Sequence, residues 1–299
     1  VIGDLPDALV LGAGGTLGEA WLRGVLNGLE AGAGLDFRNC EYLLGTSAGS
    51  IVAATLAAGR RPEAGDRAAE EWARAVPDRI EPPEGSDWLG TIARGGRAVA
   101  TPLVPLAMAA TSRAGRLARA AVLRRSPRPE RTLGNVRASI EALGARFDGR
   151  LRIAAVDRAS GRRVIFGAPD APRATVADAV LASCAVPWLF APVEIGDREY
   201  VDGGVWSPTN LDAVPAGRGS RVLCLIPTAG ATPASLRTAS AAAAGYESMA
   251  LRARGATIQT IVPDTPSLDA IGPNLMDQSR RAAVAAAGYA QGRRLTVSR

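Results

Sequence analysis

Apolar residues along this chain fall either in short uninterrupted runs or at intervals of three to four, and the two patterns alternate. Ala8-Leu9-Val10-Leu11 is unbroken and is followed at once by glycines, which predicts a short buried strand. From Gly18 to about Ala31, Trp21, Val25, Leu26 and Leu29 recur at helical spacing. Tyr42-Leu43-Leu44 predicts a second strand. Ser47 to Ala58 predicts a second helix, stopped at Gly59. The first sixty residues therefore read β-α-β-α.

The pattern changes over roughly 62–134, where arginines and prolines are frequent and no strand is visible. Short helices are expected at 63–75 and 112–125, as a helical insertion or cap within one domain spanning 1–299. Strands resume with Leu151 to Val156 and Arg163 to Phe166, separated by the turn Ala159-Ser160-Gly161. A helix is expected at 175–184, then an extended stretch to Val201. Val222 to Ile226 and Thr257 to Val262 read as strands, with helices over much of 234–255 and 275–294. Strands alternating with helices predict an α/β fold, a sheet with helices on both faces.

Composition narrows the chemistry. Hydrophobic residues make up 47% and charged residues 21%, enough for a large core built mostly of Ala, Val, Leu and Ile. The chain has no histidine, and all 35 of its basic residues are arginine. That excludes a Ser-His-Asp or Cys-His apparatus, a phosphate-loop lysine and histidine ligation of a metal. The net charge of +6 suits an anionic partner, a nucleic acid or an anionic membrane. No recognition motif or aromatic stacking pattern accompanies the arginines, so no nucleic acid is expected. Cys40, Cys184 and Cys224 are widely spaced and sit in apolar stretches, neither a disulfide framework nor a zinc pattern. No signal peptide is visible, and a cytoplasmic location is the expectation. The longest apolar run, Ala98 to Ala110, is broken by Pro102 and Pro105 and is too short to span a bilayer.

Gly12-Ala13-Gly14-Gly15-Thr16-Leu17-Gly18 lies between a strand and a helix. Such a loop gathers backbone N–H groups at a helix N-terminus, which favours negative charge. It could hold a dinucleotide pyrophosphate, form an oxyanion hole, or simply turn the chain tightly. The dinucleotide reading, a nucleotide-dependent reductase, wants an acidic residue after the second strand and a Tyr-x-x-x-Lys pair. The strand ends instead in Gly45-Thr46-Ser47-Ala48-Gly49, and there is no lysine.

That pentapeptide has the G-x-S-x-G form in a strand–turn–helix context, where the turn lifts the serine hydroxyl clear of the backbone. The usual partner of such a serine is a histidine. Either Ser47 is inert or its base is a carboxylate. Tyr200-Val201-Asp202-Gly203-Gly204-Val205 offers one, behind the stiff apolar stretch Pro187 to Val193. Asp-Gly is also an ordinary turn signal, so Asp202 alone would read as a hairpin residue.

Together the glycine loop, G-x-S-x-G and Asp-Gly-Gly, in that order and without histidine, resemble the patatin-like phospholipase family. Ser183-Cys184-Ala185-Val186-Pro187 and Tyr200 to Asn210 resemble the family's stretch around its aspartate. The resemblance covers about 7–60 and 150–227. It implies a three-layer α/β/α sheet and a lipid acyl hydrolase of phospholipase A, lipase or lysophospholipase type. It implies Ser47 as nucleophile and Asp202 as its dyad partner. Gly14, Gly15 and the N–H of Thr16 match the oxyanion loop, Gly45 and Gly49 the nucleophile turn, and Gly203 and Gly204 the aspartate motif. It implies a lipid ester substrate and neither cofactor nor metal. Ala13 stands where the family usually has Gly, and Leu17 where it often has a basic residue. A catalytically inactive lipid-binding homologue is the other reading within the family. An aspartate, with a reference pKa near 3.9 against about 6.5 for histidine, is expected to be the poorer base at neutral pH.

Residues 94–131 hold Arg94, Arg97, Arg113, Arg116, Arg119, Arg124, Arg125, Arg128 and Arg131 beside the apolar Leu103 to Met108. They read as a lid or a surface for peripheral contact with an anionic membrane, or as an insertion with a solvated basic face. The sequence sets no oligomeric state.

Overall fold

The computed structural model describes residues 2–62, 67–75, 115–230 and 234–296. Eight strands form one sheet: β1 (Ala8–Leu11), β2 (Tyr42–Thr46), β3 (Leu151–Asp157), β4 (Arg163–Phe166), β5 (Val193–Ile195), β6 (Arg198–Asp202), β7 (Arg221–Leu225) and β8 (Thr257–Ile261). Hydrogen bonding runs β5-β6-β3-β2-β1-β7-β8, with β4 also beside β3. The centre, β3-β2-β1-β7-β8, is parallel, and β4, β5 and β6 add antiparallel pairings. The helices among the described residues are α1 (Gly15–Ala33), α2 (Ala48–Ala57), α3 (Arg67–Ala75), α4 (Gly115–Arg125), α5 (Gly134–Glu141), α6 (Val176–Cys184), α7 (Ala234–Ala253), α8 (Thr265–Ile271) and α9 (Arg281–Arg294).

The side-chain alternation of the strands builds the layers. Leu9, Leu11, Leu43, Leu151, Ile153, Leu223 and Leu225 face one side and pack with α1, α2, α5, α6 and α9. Ala8, Val10, Leu44, Val222, Cys224 and Ile258 face the other, where Ala244 and Leu251 of α7 cover them. Leu123 of α4 packs on Val156 and Val201 on that second face. The fold is therefore the expected α/β sheet between two helical layers.

The departures have local causes. α1 begins at Gly15 rather than Gly18, because the Leu275 carbonyl accepts the Leu17 N–H at 3.0 Å and seats the first turn. The helix expected at 275–294 starts only at Arg281; Asp277 accepts from the Ser279 N–H and holds Gln278–Arg280 as a 3-10 turn. α8 was not expected. Asp264 caps it by accepting from the Ser267 N–H, and a proline occupies its first turn.

α1 and α9 meet backbone to backbone. A Cβ on Gly28 would lie 2.2 Å from the Tyr289 carbonyl oxygen, and one on Gly292 2.4 Å from that of Val25. Glycine is required on both sides of this contact. Trp21 Nε1 donates to Gln291 Oε1 at 2.9 Å across the same interface. Arg281, at the start of α9, donates to Glu19 at 2.8 Å and to the Thr16 carbonyl at 3.0 Å.

Of the arginine-rich segment, residues 76–114 lie outside the described residues, and with them the apolar run 103–108. The expected helices at 63–75 and 112–125 are described over Arg67–Ala75 and Gly115–Arg125. Arg119 fits neither reading of the segment. It is buried, lies 4.6 Å from the Trp206 ring and donates to the Gly161 carbonyl. Arg128 pairs with Glu199 at 2.7 Å. Cys40, Cys184 and Cys224 are free and buried. Among the described residues no helix is long and apolar enough to cross a membrane.

Candidate active site

The sheet itself brings Ser47 and Asp202 together. Residues 155 and 156 of β3 pair with both β4 and β6, so these two strands occupy opposite edges of β3. β2 also lies opposite β4, over residues 153 and 154. β2 and β6 therefore share one edge and meet there end to end. Thr46 is the partner of Ala154, and Asp202 the partner of Ala155. The residue after Thr46 is Ser47.

Ser47 sits at φ 51°, ψ −122°, as the N-cap of α2. A non-glycine residue held there stores about 1–3 kcal/mol of backbone strain. Its surroundings hold it in place. Its N–H donates to Ser183 Oγ at 2.8 Å, and its carbonyl accepts from Ser50 Oγ at 2.6 Å and from the Ser50 N–H at 2.8 Å. The flanking glycines permit the crossing. A Cβ at Gly45 would lie 2.4 Å from Ser50 Cα, and one at Gly49 2.0 Å from the Leu11 carbonyl oxygen.

Asp202 ends β6, is 4% exposed, and caps the turn Gly203–Val205. Its Oδ1 accepts the Gly204 N–H at 2.7 Å, its own N–H donates to the Ala185 carbonyl at 2.9 Å, and the nearby Ser47 hydroxyl favours its ionised form. Burial pushes its pKa from 3.8 up to about 7, against the opposing bonds from Ser47 and Gly204. The reference value made this carboxylate a poor base. Its environment places it near that of histidine, so the expectation of weak basicity is corrected. Cys184 is no rival nucleophile: burial, with Asp202's charge beside it, pushes its thiol well up and keeps it protonated.

The glycine loop closes the third side. The N–H groups of Gly12, Ala13 and Leu17 are used by the carbonyls of Leu225, Pro208 and Leu275. Those of Gly14, Gly15 and Thr16 have no partner among the described residues. They lie at the N-terminus of α1, where unpaired N–H groups and the helix dipole favour an anion. The loop abuts both other segments. A Cβ on Gly204 would lie 3.8 Å from that of Ala13, and one on Gly49 would lie 2.9 Å from the Gly12 carbonyl oxygen. Leu17 is fully buried in the core, so a basic side chain there would have had to face away from water.

The bonding roles of some residues in this arrangement were not read from the sequence. Ser183 and Asn210 reach segments far along the chain, and Ser50 holds the Ser47 carbonyl from the next turn. Asn210 Nδ2 donates to Thr46 Oγ1 at 3.1 Å, to the Gly203 carbonyl at 3.3 Å and to the Ser207 carbonyl at 2.7 Å. It therefore joins the end of β2 to the aspartate turn. Among the described residues no group of His, Cys, Asp and Glu has the disposition of a metal site.

No curated protein matches this chain. Among solved structures, VipD from Legionella pneumophila is a distant likeness, 15% identical with a TM-score of 0.45, over 98% of this chain and 67% of that one. Residues 9–215 match the family described as Patatin-like phospholipase, a span that holds the glycine loop, the Ser47 turn and Asp202. The chain belongs to the patatin-like phospholipase family.

Proposed function

We propose that this protein is a lipid acyl hydrolase that cleaves carboxylic esters through a Ser47–Asp202 dyad. The observation that carries the reading is the strained Ser47, set at the end of β2 where Asp202 ends β6, with three loop N–H groups nearby that have no partner among the described residues. Family membership supports a lipid ester as the substrate class.

In the proposed cycle Asp202 takes the hydroxyl proton as Ser47 Oγ bonds to the ester carbonyl carbon. The carbonyl oxygen becomes an oxyanion, and the N–H groups of Gly14, Gly15 and Thr16 receive it. Each such donor is worth about 3–4 kcal/mol in related chemistry. The carbon–oxygen bond to the alcohol then breaks, and the proton on Asp202 passes to the leaving oxygen. Water adds to the acyl-enzyme, gives its proton to Asp202, and the fatty acid departs as Ser47 recovers its hydrogen. A base whose pKa lies near the working pH suits both transfers.

A fluorophosphonate probe tests this directly. The wild type is expected to label and to hydrolyse short lipid esters, and Ser47→Ala to do neither. Unlabelled wild-type protein would point to an inactive homologue. A Ser47→Ala variant as active as wild type would overturn the mechanism.

A further inference from the structure

We infer that Glu247 is a positioning residue for the dyad, holding the 207–211 loop against all three segments of the site. The inference rests on the acyl-hydrolase reading and adds to it a residue that touches none of the reacting atoms.

Glu247 projects from the inner face of α7 and is 6% exposed. Its Oε2 accepts from Thr209 Oγ1 at 2.5 Å and from the Leu211 N–H at 2.8 Å. Thr209 and Leu211 are fully buried, so both donors depend on this acceptor rather than on water.

The loop so held reaches each part of the site. The Pro208 carbonyl takes the Ala13 N–H at 2.8 Å, which fixes the loop of Gly14 and Gly15. Thr46, next to Ser47, donates its hydroxyl to the Thr209 carbonyl at 3.4 Å and accepts from Asn210 Nδ2 at 3.1 Å. Asn210 Nδ2 also reaches the Gly203 carbonyl, next to Asp202. Asn210 stands at φ 51°, and its N–H and that of Thr209 both bond Ser207 Oγ, at 3.1 and 3.2 Å. One carboxylate thus fixes the segment through which nucleophile, base and oxyanion loop keep their mutual distances.

Burial, with the charge of Asp212 beside it, pushes Glu247 up to about 7, against the bonds from Ser207, Thr209 and Leu211. Protonated or ionised, it retains an acceptor oxygen for Leu211 and Thr209. A glutamine side chain offers the same oxygen.

The test compares wild type, Glu247→Ala, Glu247→Gln and Thr209→Val, each first checked for cooperative thermal unfolding. The readouts are the fluorophosphonate labelling rate and the separate kcat and KM for a short-chain ester. Glu247→Ala is expected to lose about 10–100-fold in kcat and labelling rate with KM within about threefold, the penalty for sub-ångström misplacement. Glu247→Gln is expected to stay within about threefold of wild type, and Thr209→Val to fall between. A folded Glu247→Ala with wild-type kcat would overturn the inference, as would a folded Glu247→Gln as impaired as Glu247→Ala. If Glu247→Ala does not fold, Thr209→Val decides: lowered kcat at constant KM supports the inference, and wild-type kcat overturns it. Failure of the wild type itself to label would instead sink the acyl-hydrolase reading.

Discussion

Replacing Asp202 by Asn should make the protein more stable while nearly abolishing its activity, and the gain should grow with pH. In the folded chain the Asp202 carboxyl holds its proton up to about pH 7. In the unfolded chain it releases it near pH 3.9. The unfolded state thus binds fewer protons between these values, and stability falls as pH rises through that window. The rise from 3.8 to about 7 corresponds to roughly 4 kcal/mol of lost stability above pH 7. Asparagine keeps an oxygen for the Gly204 N–H and has no charge to bury. Its advantage over wild type should be about 1.5 kcal/mol at pH 5 and up to about 4 kcal/mol at pH 8. At roughly 2–4 °C per kcal/mol, that is a gain of about 8–16 °C in melting temperature at pH 8. Local relaxation around the ionised carboxylate makes these figures ceilings. Glu247 also titrates near 7, but it is present in both proteins and cancels in the difference. Thermal melts of the pair at pH 5 and pH 8 make the measurement. An Asn variant no more stable than wild type at pH 8, or equally stabilised at both pH values, would refute the burial argument.

Two further outcomes follow from the same structure. The kcat/KM of wild type for an ester should fall towards tenfold per pH unit below about pH 6, because only ionised Asp202 accepts the proton; Glu247→Gln should keep that acid limb, and a flat profile would remove Asp202 as the base. Gly28→Leu should cost about 3 kcal/mol in urea unfolding, since even a Cβ there would lie 2.2 Å from the Tyr289 carbonyl oxygen; wild-type stability would mean that α1 and α9 can part freely.

The sequence was most informative where local pattern and chemistry coincided. The runs at Ala8–Leu11 and Tyr42–Leu44 read as strands because each is an unbroken largely apolar stretch, and the glycines that follow mark close crossings of the backbone; β2 runs on through Gly45 to Thr46. Ser47 and Asp202 were legible for the same reason: each stands beside glycines that close approach requires. The short α8 was not legible, because its signal is a cap and a proline rather than an apolar period. The basicity of Asp202 was misjudged because a reference pKa describes a group in water, whereas burial beneath α6 and the glycine loop is set by tertiary contacts. Ser183 and Asn210 lie in stretches that carry the family resemblance, but the bonds they make are not legible in the sequence, since each reaches a segment 136 or 164 positions away.

The glycine seam between α1 and α9 sets an order of events during synthesis. The turn that holds Gly14 and Gly15 starts α1, yet the groups that seat that helix include Gln291, 270 positions beyond Trp21. At roughly 5–20 residues per second, a ribosome needs about 14–54 s to reach them. Until then the glycine loop opens a helix with one flank bare, although the strands that end beside Ser47 and at Asp202 have already emerged. Helix α9 is thus translated after every other described part of the candidate site, and the turn of Gly14 and Gly15 gains its full support only once Gln291 has emerged.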